Sequence, residues 1–562
     1  MSRIDFEEKI TAIVTDASRR LVSSVSGNDG ADIPVRMDVP KDRAHGDLTT
    51  NAALRLSKIV KMNPVVCGEK LREFILEKLT EDGIIGLVAG IDVVKPGFLN
   101  FRLSDKFLHM ALSEALKNGT EYGRSAGRSR QKALIEFVSA NPTGPLTVAH
   151  GRQAAVGDAL ARIMRFCGYD VTEEYFINDE GRQIELLGRS IAYHYLEAFG
   201  RRIDFPEDGY RGHYIGEIAG RIREKDGDTH VAAYPGNLAF FSDYGVKYLM
   251  ALIKKDLDDF AVRFDSWFSQ RNLTPDHIRQ VLRGLEGQGY VYRQDGAEWL
   301  KSTTFGDEKD RVVVKSDGNF TYLAPDILYH KEKYERGYDR LINLWGPDHH
   351  GYIPRIKAAV RALGHDPDTL SVLIVQLATL YRGGKAMSMS TRKGEFLTLR
   401  EVMDDVGRDV AKFIFLMRKL DSHLDFDIDI AKRQSTDNPV YYIQYAHARI
   451  WSIMEYGEKM KASRASGAAD PGLLRTGEEI DLMRLVSQFP SAVLGSAVNL
   501  EPYYVIVYLN DLATVFHNFY TKHRVVTDDP ELTGARLMLV DCVRICLANG
   551  LELLGVSLPK KM

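Results

Sequence analysis

Three stretches of the sequence gather residues able to hold phosphate. The first is ANPTGPLTVAH, Ala140 to His150, a breaker-rich loop between the apolar run ALIEFVSA and a helical pattern. Backbone N–H groups at a helix N-terminus are unsatisfied and partly positive, so an anion suits that place. Gly144 permits close backbone approach, and Thr143, Thr147 and His150 add side-chain donors. An ordinary strand-to-helix turn of the same composition is the alternative. The second stretch, GGKAMSMSTRKGEFLTL from Gly383 to Leu399, sets a glycine pair before Lys385, Arg392 and Lys393. Cations on a movable loop can close over a leaving pyrophosphate; a solvated basic turn reads the same way. The third is RLINLWGPDHHGY, where Gly346 ends an apolar run and Asp348, His349 and His350 follow. Ligands bind at the carboxyl ends of parallel strands, where Asp348 could accept from ribose hydroxyls. An Asp-His-His run also invites zinc, but further ligands at suitable spacing are missing, and no tightly bound metal is expected.

These loops need a sheet to carry them. From Lys132 the pattern runs short strand, tight loop, helix to about Cys167, then the strand YDVTEEYFIND, which is a βαβ unit opening a parallel nucleotide-binding sheet. Residues 182–289 read as mostly helical, and strand-like runs resume with AEWLKSTTF, RVVVKS and RLINLWG. The expectation is a multidomain α/β chain with three parts. A small α/β domain spans 1–118, and a Rossmann-like catalytic domain spans 119–437 with a helical insertion at about 183–289. An all-helical domain spans 438–562.

Composition limits the class further. With 562 residues, 44% hydrophobic and 27% charged, the chain has ample core, and extended disorder and a coiled-coil rod are excluded. A net charge of −3 means that any RNA-binding surface is local. Four cysteines make no disulfide framework; Cys542 and Cys546, one helical turn apart in an apolar stretch, read as core. The opening residues lack a signal h-region and no apolar run approaches ~18 residues, so a cytoplasmic protein without membrane contact is expected.

The stretch EFVSANPTGPLTVAHGRQAAVGDALARI resembles the nucleotide-binding segment of class I aminoacyl-tRNA synthetases, in the version carried by arginyl-tRNA synthetases. The family's His-Ile-Gly-His core stands here as Thr147-Val148-Ala149-His150, with the second histidine kept. The basic loop is similar to the family's Lys-Met-Ser-Lys-Ser loop, aligned on Met389 and Ser390; Ser388 and Thr391 replace its lysines. The resemblance implies that Asn141, Pro142, Thr143, Gly144, Thr147, His150, Gly346, Asp348, Met389 and Ser390 bind ATP. It also implies that His150 and Thr147, with Lys385, Arg392 or Lys393, stabilise phosphate charge.

Arginine, the implied substrate, is a planar cation with five donors, so acidic residues must select it. The family's amino-acid residues match Glu136, Asn141, Tyr322, Asp326 and His349. Tyr322 and Asp326 are four apart and share a face if TYLAPDILYH is helical, giving a carboxylate for the guanidinium and a ring to flank it. The alternative makes Asp326 a helix cap and puts Glu136 in a surface ion pair.

In NPVYYIQYAHARI, Tyr442, Tyr445 and Arg449 share a helical face, where rings and a cation could clamp unpaired bases. That segment and LATVFHNFYTKHRV resemble the anticodon-binding domain of arginyl-tRNA synthetases, ending in Met562; AHGDLTTNAALRLSK and KPGFLNFRLS resemble their N-terminal tRNA-contacting domain. The resemblance implies a monomer that uses ATP with Mg²⁺, arginine and the arginine tRNA. Arginyl-adenylate forms first and transfer to the tRNA 3′ end follows, with tRNA needed even for the first step. Two rivals are a class I enzyme for another amino acid and a tRNA-binding paralogue that has lost catalysis.

Overall fold

A computed structural model describes residues 2–26, 34–40, 42–125, 131–387, 397–433, 435, 437–460 and 469–562. The N-terminal part runs α1 (Arg3–Ser26), β1 (Leu48–Thr50), α2 (Ala52–Ile59), α3 (Pro64–Glu81), β2 (Val88–Val94), β3 (Phe98–Leu103) and α4 (Asp105–Asn118). Its strands form an antiparallel sheet in the order β1-β3-β2. Phe6, Ile10, Ile13, Val14, Ala17 and Leu21 repeat at helical spacing and bury the inner face of α1. Asn63 caps α3, with Pro64 at its first position, where the missing N–H costs nothing.

The central part begins with β4 (Lys132–Glu136), α5 (Val148–Phe166) and β5 (Asp170–Ile177), then the helices α6 (Arg182–Glu197), α7 (His213–Asp226) and α8 (Leu238–Asp259). It continues through β6 (Ser266–Ser269), α9 (Pro275–Gly287) and the small antiparallel sheet of β7 (Val291–Gln294), β8 (Ala297–Leu300) and β9 (Arg311–Val314). Next come α10 (Leu323–Glu335), β10 (Arg340–Trp345), α11 (Ile353–Ala362) and β11 (Leu370–Ile374). The main sheet has the order β11-β10-β4-β5-β6, every pair parallel. This is the expected nucleotide-binding architecture, with one difference. The stretch read as helical to residue 289 contains β6, which closes the edge of the sheet beside β5. Four residues, Ser-Trp-Phe-Ser, are too short to show a strand period between helices.

Helix α5 is buried along most of its length. Gly157 lets it lie on the sheet: a Cβ there would fall 2.2 Å from the Phe137 ring. Beyond β11 the chain forms β12 (Ala378–Arg382), β13 (Lys385–Ala386), α12 (Leu399–Val406), α13 (Arg408–Leu416), β14 (Leu424–Asp427) and the short α14 (Ile428–Ala431). The C-terminal part is helical as expected: α15 (Pro439–Lys459), α16 (Gly477–Asn499), α17 (Tyr503–Lys522) and α18 (Pro530–Leu553). All four cysteines are buried, Cys542 and Cys546 within α18.

Candidate functional site

The parallel sheet ends in a cavity of about 950 Å³ at the carboxyl ends of β4 and β10. A bend held by its neighbours forms one wall. After β4 the backbone turns through Val138 and Ser139, at φ 66° and 39°. Positive φ is costly for a β-branched residue, so the surroundings must enforce it. Tyr175 donates its hydroxyl to the Ala140 carbonyl at 2.8 Å, and the Ser139 hydroxyl accepts from the Phe176 N–H while donating to Glu136.

The loop that follows leads into α5. Asn141 lines the cavity and donates its side-chain amide to Gln183 of α6 at 2.7 Å. The Thr143 carbonyl accepts from the Tyr214 hydroxyl at 2.7 Å. The same hydroxyl stands 3.0 Å from where a Gly144 Cβ would lie, so the close approach at Gly144 is made by α7. Pro142 is buried beneath this loop. Thr147 is the N-cap of α5, and its backbone N–H donates to Nδ1 of His150 at 3.1 Å, with the Thr147 hydroxyl 3.2 Å from the same nitrogen. His150 and Ala149 face the cavity. Burial lowers the His150 pKa to about 4, so its ring is neutral near pH 7.

The expected cationic loop is anchored against the same helix end. Leu399 donates its N–H to the Leu146 carbonyl at 2.8 Å, and Thr398 bridges Thr147. Lys385 lies exposed on β13 and does not line the cavity. Met389, Ser390, Arg392 and Lys393 lie outside the described residues.

On the opposite wall, Gly346 ends β10; a Cβ there would fall 2.7 Å from Asp348 Oδ1. Asp348 and His349 line the mouth, are largely exposed and pair with each other at 3.5 Å. Among the described residues no cluster of three His, Cys, Asp or Glu side chains could hold a metal ion.

The residues expected to bind the amino acid meet in this cavity, with one departure. Glu136 and Asp326 line it, and Tyr322 stands at its rim, 82% exposed. Asp326, in the first turn of α10, accepts from the Tyr352 hydroxyl at 2.6 Å. Burial pushes its pKa up to about 6, the Glu136 charge adding to this while the Tyr352 bond and the Lys333 charge oppose it. It is therefore not a helix cap. Glu136 is not in a surface pair either: Oε2 accepts from Lys333 Nζ at 2.6 Å, and the Lys333 side chain is fully buried. Tyr352 and Gln183 also line the cavity, while Lys333 and Tyr214 hold Glu136 and the Thr143 carbonyl from behind, and no spacing in the sequence points to these four.

In the helical part, Tyr442 turns toward the core and lies 4.4 Å from the His517 ring. Tyr445 stacks on Tyr441 and on His517, and the Arg449 guanidinium lies 5.1 Å from the Tyr445 ring and 5.3 Å from that of Tyr520. Met562 is half exposed.

Family models match almost the whole chain in order. They are the arginyl tRNA synthetase N-terminal domain at residues 6–103, the catalytic domain of class I (R) tRNA synthetases at 111–210 and 222–421, and the DALR anticodon binding domain at 443–562. The arginine–tRNA ligase of Syntrophotalea carbinolica is 45% identical over 532 residues, 94% of this chain and 95% of that protein. The arginine–tRNA ligase of Geobacillus kaustophilus is 46% identical over 531 residues, 94% of each. The Thermus thermophilus arginyl-tRNA synthetase structure shares the fold, with a TM-score of 0.77 at 22% identity over 99% of this chain and 100% of that one.

Proposed function

Because the chain belongs to the arginyl-tRNA synthetase family and so joins arginine to tRNA at the expense of ATP, we propose that the cavity beneath α5 and β10 is where it does so. The observation that carries this reading is the meeting, in one cavity, of His150 at the N-terminus of α5 with the Glu136 and Asp326 carboxylates. Asp326 takes the guanidinium, for which a carboxylate offers paired acceptors, and Tyr322 closes over it from the rim. Glu136 and Asn141 hold the α-ammonium end, and His349 lies beside the same pocket.

Mg²⁺ enters with ATP as part of the substrate. The triphosphate lies between Asn141 and the start of α5, where N–H groups and the helix dipole favour anions, with Pro142, Thr143 and Gly144 in the loop that holds Asn141 in place. Asp348 and Gly346 receive the ribose. The arginine carboxylate attacks the α-phosphorus in line, the bond to the β-phosphate oxygen breaks, and pyrophosphate leaves. His150 and Thr147 hold the developing charge, and Lys385, Arg392 or Lys393 meets the departing pyrophosphate, with Met389 and Ser390 in the loop that brings them. The terminal adenosine hydroxyl of tRNA then attacks the adenylate carbonyl and AMP leaves.

We assign base stacking on the tRNA to Tyr445 and Arg449, with Tyr442 behind them and Met562 at the chain end, supported by the ring cluster on α15 and α17. The domains are taken as 1–118, 119–437 and 438–562. The chain is taken as a cytoplasmic monomer, and no described helix is long and apolar enough to cross a membrane.

Arginine-dependent ATP–pyrophosphate exchange, with and without tRNA, tests the reading. Exchange with arginine alone among the amino acids, and only with tRNA present, supports it. Folded protein that binds tRNA but never exchanges would point to a lapsed paralogue and defeat it.

A further inference from the structure

Two glutamates stand level on neighbouring strands of the main sheet. Glu136 of β4 is in register with Glu174 of β5, and Asn343 of β10 flanks Glu136 on its other side. Both carboxylates are buried, and each has a cation, Lys333 of α10 for Glu136 and Arg336 at the C-cap of α10 for Glu174, yet they are treated differently. Glu174 has all its acceptor positions taken: Oε1 by the Tyr329 hydroxyl and Arg336 Nη2, Oε2 by the Ser266 hydroxyl and Arg336 Nη1. It does not reach the cavity. Glu136 takes one bond from Lys333 on Oε2 and one from Ser139 on Oε1, which leaves an acceptor position on each oxygen, and it lines the cavity.

Lys333 is spent entirely within the protein. Nζ donates to Glu136 at 2.6 Å and to Asn343 Oδ1 at 3.1 Å, and lies 4.2 Å from the centroid of the Tyr329 ring. The chain of bonds continues. The Asn343 amide lies 3.1 Å from His330 Nε2, and His330 Nδ1 lies 2.9 Å from the Asp326 carbonyl. A neutral His330 ring, which burial and the Lys333 charge enforce, donates to that carbonyl and accepts from Asn343. One buried ammonium thus ties together the strand that carries Glu136 and the turn that carries Asp326. A buried ion pair is a poor stabiliser, because desolvating two charges offsets much of their attraction. Orientation is the better account of its presence.

We infer that Lys333 is a positioning residue for arginine: it aims the Glu136 carboxylate into the cavity and, through Asn343 and His330, fixes the turn that presents Asp326. The inference rests on the reading of Glu136 as an arginine contact. With Lys333 in place, Glu136 keeps one rotamer and two free acceptors for the ligand. Without it, the carboxylate has only Ser139 to hold it and can fold back toward Asn343.

Aminoacylation kinetics of the full chain separate the possibilities, using Lys333→Met, Lys333→Gln, Glu136→Gln and the Lys333→Met/Glu136→Gln double variant. The Gln variant keeps a donor at position 333 and carries the test if the Met variant does not fold. A charge-assisted bond lost from the site corresponds to a rise in arginine KM on the order of tenfold to a hundredfold. The expected result is that rise for Lys333→Met and a smaller one for Lys333→Gln, with ATP KM unchanged. In the Glu136→Gln background, Lys333→Met then adds clearly less than it does alone, the remainder being its hold on the Asp326 turn through Asn343 and His330. An equal rise in ATP KM, or the full rise repeated on top of Glu136→Gln, would show a merely structural lysine and overturn the inference while Glu136 remains an arginine contact. If Glu136→Gln alone leaves arginine KM unchanged, the contact itself is wrong and the inference falls with it.

Discussion

The backbone N–H of Thr147 donates to Nδ1 of His150 across the first turn of α5, at 3.1 Å. That bond occupies the Nδ1 lone pair, so the ring proton sits on Nε2, the nitrogen left for a ligand. With burial holding its pKa at about 4, His150 is neutral in the empty site, and in the proposed role it meets phosphate as a neutral donor. Replacing His150 with Ala lowers kcat for pyrophosphate exchange by about 10²–10³-fold, the usual cost of a lost transition-state donor, with arginine KM nearly unchanged. At saturating arginine, kcat shows no His150 titration between about pH 6 and 8. A limb in that range that vanishes in His150→Asn would mean the ring works charged.

If Asp326 takes the guanidinium as proposed, it sets the acid limit of arginine binding. Its folded pKa is raised to about 6, chiefly by burial, so in the empty cavity the ionised form is disfavoured. An arginine guanidinium compensates it. Binding at about pH 6 therefore releases a proton, and arginine KM rises by roughly tenfold per unit as pH falls further below that value. The raised pKa also makes the ionised carboxylate a burden on the ligand-free fold above about pH 6. Asp326→Asn should stabilise the empty protein at pH 7 by up to about 3 kcal/mol, less whatever the altered bond to Tyr352 costs, a gain that fades as pH drops from about 6 toward 4. The same variant raises arginine KM by at least about a hundredfold. Denaturation and KM measured across pH check both; a less stable variant at pH 7 would contradict the sign.

The ring cluster of α15 and α17 makes a separable prediction. The Tyr445 ring lies near parallel to those of Tyr441 and His517, at 6.1 and 5.8 Å, with the Arg449 guanidinium 5.1 Å from its centre. A base stacked there is worth about 1–3 kcal/mol, so Tyr445→Ala raises tRNA KM by roughly 5- to 150-fold and leaves arginine KM alone. Tyr442→Ala acts through stability instead, because that ring packs against the core. Filter binding of tRNA beside a thermal melt distinguishes the two variants.

Local signals made part of this site legible and long-range ones hid the rest. The loop from Asn141 to His150 was readable because breakers, a strand and a helix follow in immediate succession, and the cavity lies where that βαβ reading puts it. Tyr322 and Asp326 do sit four residues apart, but Tyr322 is the N-cap of α10 and largely exposed, and the side chain that bonds Asp326 is Tyr352, 26 positions away. No periodicity reports a contact of that kind. Lys333 is hidden for another reason: in KEKYERG a lysine reads as solvated helix surface, and only the strand facing α10 shows that its side chain is fully buried. β6 escaped notice because four residues carry too little alternation to outweigh the helices around it.

Glu174 shows what the sheet itself withstands. Burial pushes its pKa up, but the Arg336 bonds, the Lys333 and Arg336 charges and the Tyr329 hydroxyl pull harder and leave it at about 2. A carboxylate depressed in the folded state adds stability above its unfolded pKa, near 4.5, and loses it as pH falls through that range toward 2. Removing Arg336 reverses the balance, because Glu174 stays fully buried with only Tyr329, Ser266 and the more distant Lys333 to compensate it. Breaking a buried pair from one side costs about 3–5 kcal/mol; Arg336 is partly exposed, so Arg336→Leu should cost toward the lower end at pH 7. Arg336→Leu combined with Glu174→Gln recovers most of that, since the uncompensated charge goes with the substitution. Chemical denaturation at pH 7 and near pH 4 checks it: the single variant's deficit shrinks at the lower pH as its carboxyl takes up a proton. A deficit equal at both pH values would mean that lost packing, and not buried charge, is what Arg336 supplies.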